Sequence, residues 1–174
     1  MLPLFSRENG GFRAIVAESA GVAEADILTT DLYLYPRTPA VLTGARAEFV
    51  AGPRLDDLAC VFGCLQGFLA AKDSRSVPVL AVFHNEEVGS GTKQGADSTF
   101  LSDILVRIKE ALGKNDTWLC RMLAESFMIS ADNAHAAHPN HPEKADPTNR
   151  PYLNGGIVIK YHGSQKYTTD GVSA

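Results

Sequence analysis

Apolar residues recur at helical spacing in several stretches of the chain. Residues three and four positions apart lie on one face of an α-helix, so this spacing predicts helices that bury one face. Gly21 and Gly113 follow two of these patterns, and glycine readily takes the left-handed conformation that closes a helix. The predicted helices cover residues 11–20, 55–71, 94–112 and 118–124.

Continuous apolar runs between these helices predict buried β-strands. The clearest runs are residues 77–83, 127–131 and 157–160, with shorter candidates at 26–35, 40–42 and 47–50. Strands that alternate with helices predict an α/β layered domain. The polar, proline-rich residues 139–151 predict a long surface loop.

Composition limits which kinds of protein this chain can be and which partners it can bind. With 174 residues, 45% of them hydrophobic, the chain is long enough to bury one sizeable core, and its length favours a single domain. A net charge of -4 without a basic cluster predicts neither nucleic acid nor an anionic membrane as partner. No apolar stretch approaches the roughly 20 residues that span a bilayer, and the first residues lack the features of a signal peptide. The expected location is the cytoplasm.

The cysteines are odd in number, at positions 60, 64 and 120. In a chain without a secretory signal, an odd count argues against a disulfide framework and predicts reduced thiols. Cys60 and Cys64 lie one helical turn apart in an apolar helix, and we expect both to be small core residues.

A pair of adjacent acids, Glu86 and Glu87, follows the predicted strand 77–83. Like charges that close repel each other, and partly buried carboxylates lose hydration energy unless a proton or a cation compensates them. Ligands of open α/β sheets bind beyond the carboxyl ends of the strands, which is where this pair lies. The ordinary alternative is a solvated acidic loop.

Two further acidic positions lie at the ends of predicted elements. Asp56, followed by Asp57, opens the helix 55–71, and Asp132 follows the strand 127–131. A rigid sheet could present Asp56, Asp132 and the pair at 86 and 87 to one crevice, where a shared divalent cation would explain them. His135 and His138 offer nitrogen ligands nearby. Taken singly, Asp56 could equally be a helix N-cap.

His84, Asn85 and Glu86 also fit half of a zinc deaminase signature, in which the histidine binds metal and the glutamate transfers protons. The second half, Pro-Cys-x-x-Cys, does not follow in the chain. We therefore expect His84 to pack on the sheet at the end of a strand.

Three motifs in the same order resemble the aspartyl aminopeptidase family of dinuclear zinc exopeptidases. They are Pro53-Arg54-Leu55-Asp56-Asp57-Leu58, Asn85-Glu86-Glu87-Val88-Gly89-Ser90, and the segment from Phe127 through Ser130-Ala131-Asp132-Asn133-Ala134-His135 to Asn140. The resemblance runs from about Ala14 onward and implies that metal-activated water removes an N-terminal residue, typically acidic, from a peptide. It also implies a partial three-layer αβα sheet over residues 51–174, preceded in residues 1–50 by part of a dimerisation domain.

The resemblance implies a role for each matched residue. Asp56 would bridge two zinc ions and be followed by a cis peptide bond, Glu87 and Asp132 would each bind one metal, and Glu86 would be the general base. Substrate would contact the remaining matched positions, His135, Lys160 and Tyr167. Co²⁺ or Mn²⁺ could replace zinc.

Members of this family are longer, carry two further ligand histidines and assemble into homo-oligomeric dodecamers. The chain is therefore expected to be a truncated catalytic core that binds metal weakly and is inactive alone. One alternative is a non-catalytic assembly or regulatory fragment that retains the fold. Another is a mononuclear hydrolase with His135 or His138 as a ligand.

Overall fold

Contacts in the computed structural model, which describes residues 11–72 and 75–161, divide the chain into two units. The N-terminal unit is Met1–Ala51 and the C-terminal unit is Gly52–Ala174.

The N-terminal unit contains helix α1, Phe12–Ala20, and a β-hairpin. Gly21, with a φ of 70°, ends α1, and its N–H donates to carbonyls of the last turn. Strand β1, Val41–Thr43, pairs antiparallel with strand β2, Phe49–Ala51, so that Leu42 lies opposite Val50. The predicted helix and the two short strands at 40–42 and 47–50 are confirmed. The predicted strand 26–35 is wrong, because a 3-10 turn, Glu24–Asp26, ends at its first residue and the backbone that follows is unpaired.

The C-terminal unit contains helices α2, Leu55–Ala70, α3, Phe100–Ala111, and α4, Asp116–Ala124. Gly113, with a φ of 64°, lies in the short connection between α3 and α4. The Asn115 side chain caps α4 by accepting a hydrogen bond from the Trp118 N–H at 2.9 Å. Lys109 of α3, whose side chain is only 8% exposed, forms an ion pair with Asp116 of α4 at 2.7 Å.

Three helix predictions of this unit are confirmed, although α3 begins at Phe100 rather than at residue 94. Consecutive turns occupy the stretch before it: the Gly95 N–H donates to the Thr92 carbonyl, and the Ser98 N–H to the Gly95 carbonyl. These local hydrogen bonds compete with the helical ones and delay the start of α3.

The predicted buried strands 77–83, 127–131 and 157–160 are wrong. Within residues 11–72 and 75–161, strand pairing is confined to the β1–β2 hairpin and one isolated bridge between His138 and His141. Apolar residues of the predicted strands are largely exposed: Val77 by 76%, Ile129 by 78% and Ile157 by 98%. A strand is stabilised by the hydrogen bonds and side chains of a neighbouring strand, and these segments have none among the described residues.

The expected single core is also absent from the described part of the chain. Only Ala17, Gly95 and Lys109 are buried there, whereas Leu58 and Phe62 of α2 are more than half exposed. Helices and a small sheet agree with the α/β class. The predicted loop 139–151 is an exposed loop with one 3-10 turn, Pro142–Lys144. No helix of the described residues is long and apolar enough to cross a membrane.

Candidate metal centre

Carboxylates from two distant segments meet at the start of α2. Asp56, Asp57 and Asp132 each offer an oxygen atom, and these oxygens all lie within 4.8 Å of one another. Asp56 and Asp57 belong to the first turn of α2, but their φ and ψ angles are not helical. The peptide bond between them is cis, as the resemblance implies.

Hydrogen bonds join the Asp132 segment to α2. Asn133 Nδ2 donates to the Leu55 carbonyl at 2.9 Å, and the Cys60 thiol donates to Asn133 Oδ1 at 3.1 Å. Lys160 Nζ donates to the Asn133 carbonyl at 2.7 Å and to Asp132 Oδ2 at 3.3 Å. These contacts bring together segments that are 78 residues apart in the sequence.

The cluster is strongly negative. Lys160, whose side chain is 43% exposed, compensates part of the charge through its ion pair with Asp132. Asp57 Oδ1 is buried and has no hydrogen-bond partner. Burial is the largest cause that raises the pKa of the Cys60 thiol to about 11, and its interaction with Asp57 and the charge of Asp132 contribute to the same rise. Cys60 therefore stays protonated near neutral pH and acts as a hydrogen-bond donor.

The expectation that Cys60 and Cys64 are core residues is wrong, because both are only half-buried and the Cys60 thiol donates to Asn133, next to Asp132 of the cluster. Cys120 is exposed, and all three cysteines are free thiols, as predicted. The prediction that His84 packs on a sheet is wrong as well: its exposed ring forms a hydrogen bond with the neighbouring Asn85 side chain.

Glu86 and Glu87 lie outside the carboxylate cluster. Both are exposed in a turn in which the Gly89 N–H donates to the Glu86 carbonyl at 2.9 Å. A hydrogen bond from the His84 N–H to the Gln94 carbonyl at 3.1 Å connects the two ends of this segment. The structure therefore brings together Asp56 and Asp132, two of the three predicted acidic positions, and places the glutamate pair on a separate turn.

The predicted histidine and substrate positions among the described residues lie in different parts of the structure. His135 is exposed and is not a member of the cluster. His138 and His141 face each other across their bridge, with ring centroids 5.6 Å apart. Lys160 contacts Asp132. Tyr167 lies outside the described residues.

Sequence reasoning missed the parts played by Asp57, Cys60 and Asn133. The spacing contained a signal for the first two, because residues 56, 57 and 60 lie within one turn of the same predicted helix. Asn133 directly follows Asp132, but its contacts with α2 depend on tertiary structure that no local pattern encodes.

The family model described as aminopeptidase I zinc metalloprotease (M18) matches residues 6–174. The chain belongs to the M18 family. Membership makes the protein a relative of hydrolases that use zinc, in agreement with the resemblance seen in the three sequence motifs.

Individual M18 relatives support the same assignment. A probable M18 family aminopeptidase 2 from Clostridium acetobutylicum is 47% identical over 169 residues, covering 97% of this chain and 39% of the relative. Its counterpart from Mycobacterium leprae is 41% identical over 165 residues, covering 95% of this chain and 39% of the relative. The solved structure of Chaetomium thermophilum mApe1 is 30% identical, with a TM-score of 0.65, and the match covers 80% of this chain and 34% of that one. The chain thus spans about 39% of the length of these two curated M18 relatives.

The residues of the cluster fit the zinc of the M18 family. Carboxylate oxygens are ordinary zinc ligands, and three of them converge here from two segments. A buried carboxylate oxygen without a hydrogen-bond donor, such as Asp57 Oδ1, is the kind of atom that a cation satisfies.

Proposed function

We propose that this chain forms the carboxylate-bearing part of a dinuclear zinc aminopeptidase that removes N-terminal residues, preferentially aspartate or glutamate, from peptides. The observation that carries the proposal is the convergence of Asp56 and Asp132 beside Asp57 within 4.8 Å, in a chain of the M18 family. A site for two zinc ions gives a reason for these acids to be held together in spite of their repulsion.

Each acid has a separate task in this proposal. Asp56 would hold both metals, while Asp132 and Glu87 would each hold one. Zinc supplies Lewis-acid chemistry when bound, by lowering the pKa of a water molecule and polarising a carbonyl. Glu86 takes a proton from the attacking water and later delivers it to the leaving amine. Its exposure on a turn supports this role, since a proton-transfer group must be reachable by substrate.

Lys160 is the proposed partner of an acidic substrate side chain, together with His135 and Tyr167. Its ammonium group is partly exposed and already binds a carboxylate, that of Asp132. A substrate carboxylate would form the same type of charge-assisted hydrogen bond. This chemistry favours aspartate or glutamate over neutral residues at the substrate N-terminus.

The proposed domain organisation follows the division of contacts after Ala51. Residues 1–50 would belong to a dimerisation domain and residues 51–174 to a three-layer αβα catalytic domain. The likeness to the mApe1 structure over 80% of this chain supports a common fold.

A chimera provides the test of catalysis. This chain replaces the matched segment of the Clostridium acetobutylicum relative, and release of p-nitroaniline from aspartyl-p-nitroanilide is measured with zinc. We expect turnover that Glu86→Gln abolishes and that Glu125→Gln, a change to an exposed acid at the end of α4, leaves intact. Equal turnover of the two variants would overturn the role of Glu86. For the 174-residue chain alone, we propose zinc binding without turnover.

A second candidate function is favoured by the wide exposure of apolar residues on α2 and on the segments without strand partners. Large exposed apolar surfaces mark association sites, so the chain could act as a non-catalytic assembly component of a homo-oligomer. Sedimentation analysis together with the chimera separates the two functions. Oligomerisation without Glu86-dependent turnover in the chimera favours assembly, whereas Glu86-dependent turnover favours the enzyme.

A further inference from the structure

The side chain of Asn133 contacts α2 through both ends of its amide. Nδ2 donates to the carbonyl of Leu55, the residue before Asp56, at 2.9 Å. Oδ1 accepts from Cys60, one turn further along α2, at 3.1 Å. Because Asn133 itself follows Asp132, one side chain connects the two segments that carry the converging acids.

The backbone of Asn133 is held as well. Its carbonyl accepts a hydrogen bond from Lys160 Nζ at 2.7 Å, and the same ammonium group donates to Asp132 Oδ2 at 3.3 Å. The segment before it, residues 127–131, is not a paired strand in the described structure. The position of Asp132 relative to Asp56 therefore depends on the side-chain contacts of Asn133 rather than on a sheet.

We propose that Asn133 is a positioning residue for the metal centre, with the Cys60 thiol as its supporting donor. The inference rests on the proposed zinc site and adds to it a hydrogen-bonded residue beyond the ligands. Asn133 contacts Leu55 and Cys60, which lie beside the proposed ligands in α2, and thereby holds the backbone that carries Asp132 against the backbone that carries Asp56. Loss of outer-shell contacts at metal sites typically lowers metal affinity about 10- to 100-fold.

The amide chemistry makes the role specific. Asparagine supplies a donor toward the Leu55 carbonyl and an acceptor toward the thiol of Cys60 in one planar group. Aspartate at position 133 would lose the donor and add a charge beside Asp132. Alanine would lose both contacts. Serine at position 60 retains a donor, whereas alanine there does not.

The test is a calorimetric titration of the 174-residue chain with ZnCl₂, repeated for Asn133→Ala, Cys60→Ala and Cys60→Ser. Controls are Asn140→Ala, at an exposed asparagine later in the same segment, and Cys64→Ala, one turn further along α2. The visible absorption of Co²⁺ bound to each variant reports ligand geometry independently of activity. Far-UV circular dichroism verifies that each variant keeps its helices.

We expect Asn133→Ala to weaken zinc binding about 10- to 100-fold and to change the Co²⁺ spectrum, while Asn140→Ala does neither. Cys60→Ala should weaken binding and Cys60→Ser should restore it, with Cys64→Ala unchanged. If Asn133→Ala and Asn140→Ala bind zinc equally, the positioning role is wrong although the zinc site stands. Should Asn133→Ala fail to fold, equal affinity of Cys60→Ala and Cys64→Ala decides against the proposal. Failure of the unsubstituted chain to bind zinc instead overturns the metal site itself.

Discussion

Gly95 is the residue at which a single added methyl group has the clearest structural consequence. A Cβ at this position would overlap the Ser90 carbonyl oxygen and lie 2.6 Å from the Ser90 carbonyl carbon. The same carbonyl accepts a hydrogen bond from the Asp97 N–H at 3.0 Å. Gly95→Ala must therefore move backbone atoms and weaken this hydrogen bond, in the run of turns between the glutamate pair and α3.

Overpacking of this kind destabilises by about 1–3 kcal/mol. At 1.4 kcal/mol for each factor of ten, the equilibrium for local opening shifts by about 5- to 150-fold. Hydrogen exchange of the Asp97 amide, followed by NMR, measures this opening. We expect faster exchange in Gly95→Ala, up to the rate of an unprotected amide.

The matched control is Gly91→Ala, because a Cβ at Gly91 meets no atom within 4 Å. Exchange of the Asp97 amide should be unchanged in this variant. If the amide exchanges equally fast in Gly95→Ala and Gly91→Ala, the close approach of Gly95 to Ser90 does not govern this loop, and the reasoning is refuted.

Three further predictions concern stability and reactivity. Gly63 lies inside α2, and a Cβ there meets nothing within 4 Å, so Gly63→Ala should stabilise the helix by about 0.5–1 kcal/mol. Urea unfolding measures this, and an unchanged free energy of unfolding would contradict a helical Gly63. The Lys109 ammonium lowers the pKa of Asp116 below its ordinary value of 3.8. The stability that this ion pair contributes is therefore present above pH 3.8 and is lost as the pH falls through the lowered pKa of the folded state. Asp116→Asn should flatten this acid limb of a thermal-unfolding profile, and an unchanged limb would exclude the pair as its cause. At pH 8, exposed Cys120 should react with Ellman's reagent before Cys60, whose pKa is raised to about 11. A fast phase that survives in the double variant Cys64→Ala/Cys120→Ala would contradict this order.

The helices could be predicted from sequence because their hydrogen bonds are local. The pattern of residues 55–71 needed no information beyond its own spacing to give α2, and Gly21 and Gly113 marked helix ends. The apolar run 77–83 has the composition of a buried strand, but a strand also needs a neighbour. None of the described segments pairs with it.

Part of the candidate site could also be predicted from the sequence. Asp56 and Asp132 were singled out by their places at the ends of predicted elements, and the structure joins them. The contacts of Asn133 with Leu55 and Cys60 could not be predicted, because they depend on how two distant segments pack. Glu86 and Glu87 lie on a separate turn, and the predicted strand before them has no strand partner among the described residues.

The central claim is that Asp56 and Asp132 serve one metal site. Zinc titration by calorimetry of the 174-residue chain, with Asp56→Asn, Asp132→Asn and the control Glu125→Gln, tests it most directly. We predict that zinc binds the unsubstituted chain and Glu125→Gln equally, and that either aspartate substitution weakens zinc binding at least about 10-fold. This is the lower end of the loss that follows when an outer-shell partner of a metal ligand is removed. Zinc affinity that is unchanged in Asp56→Asn or in Asp132→Asn would contradict the claim.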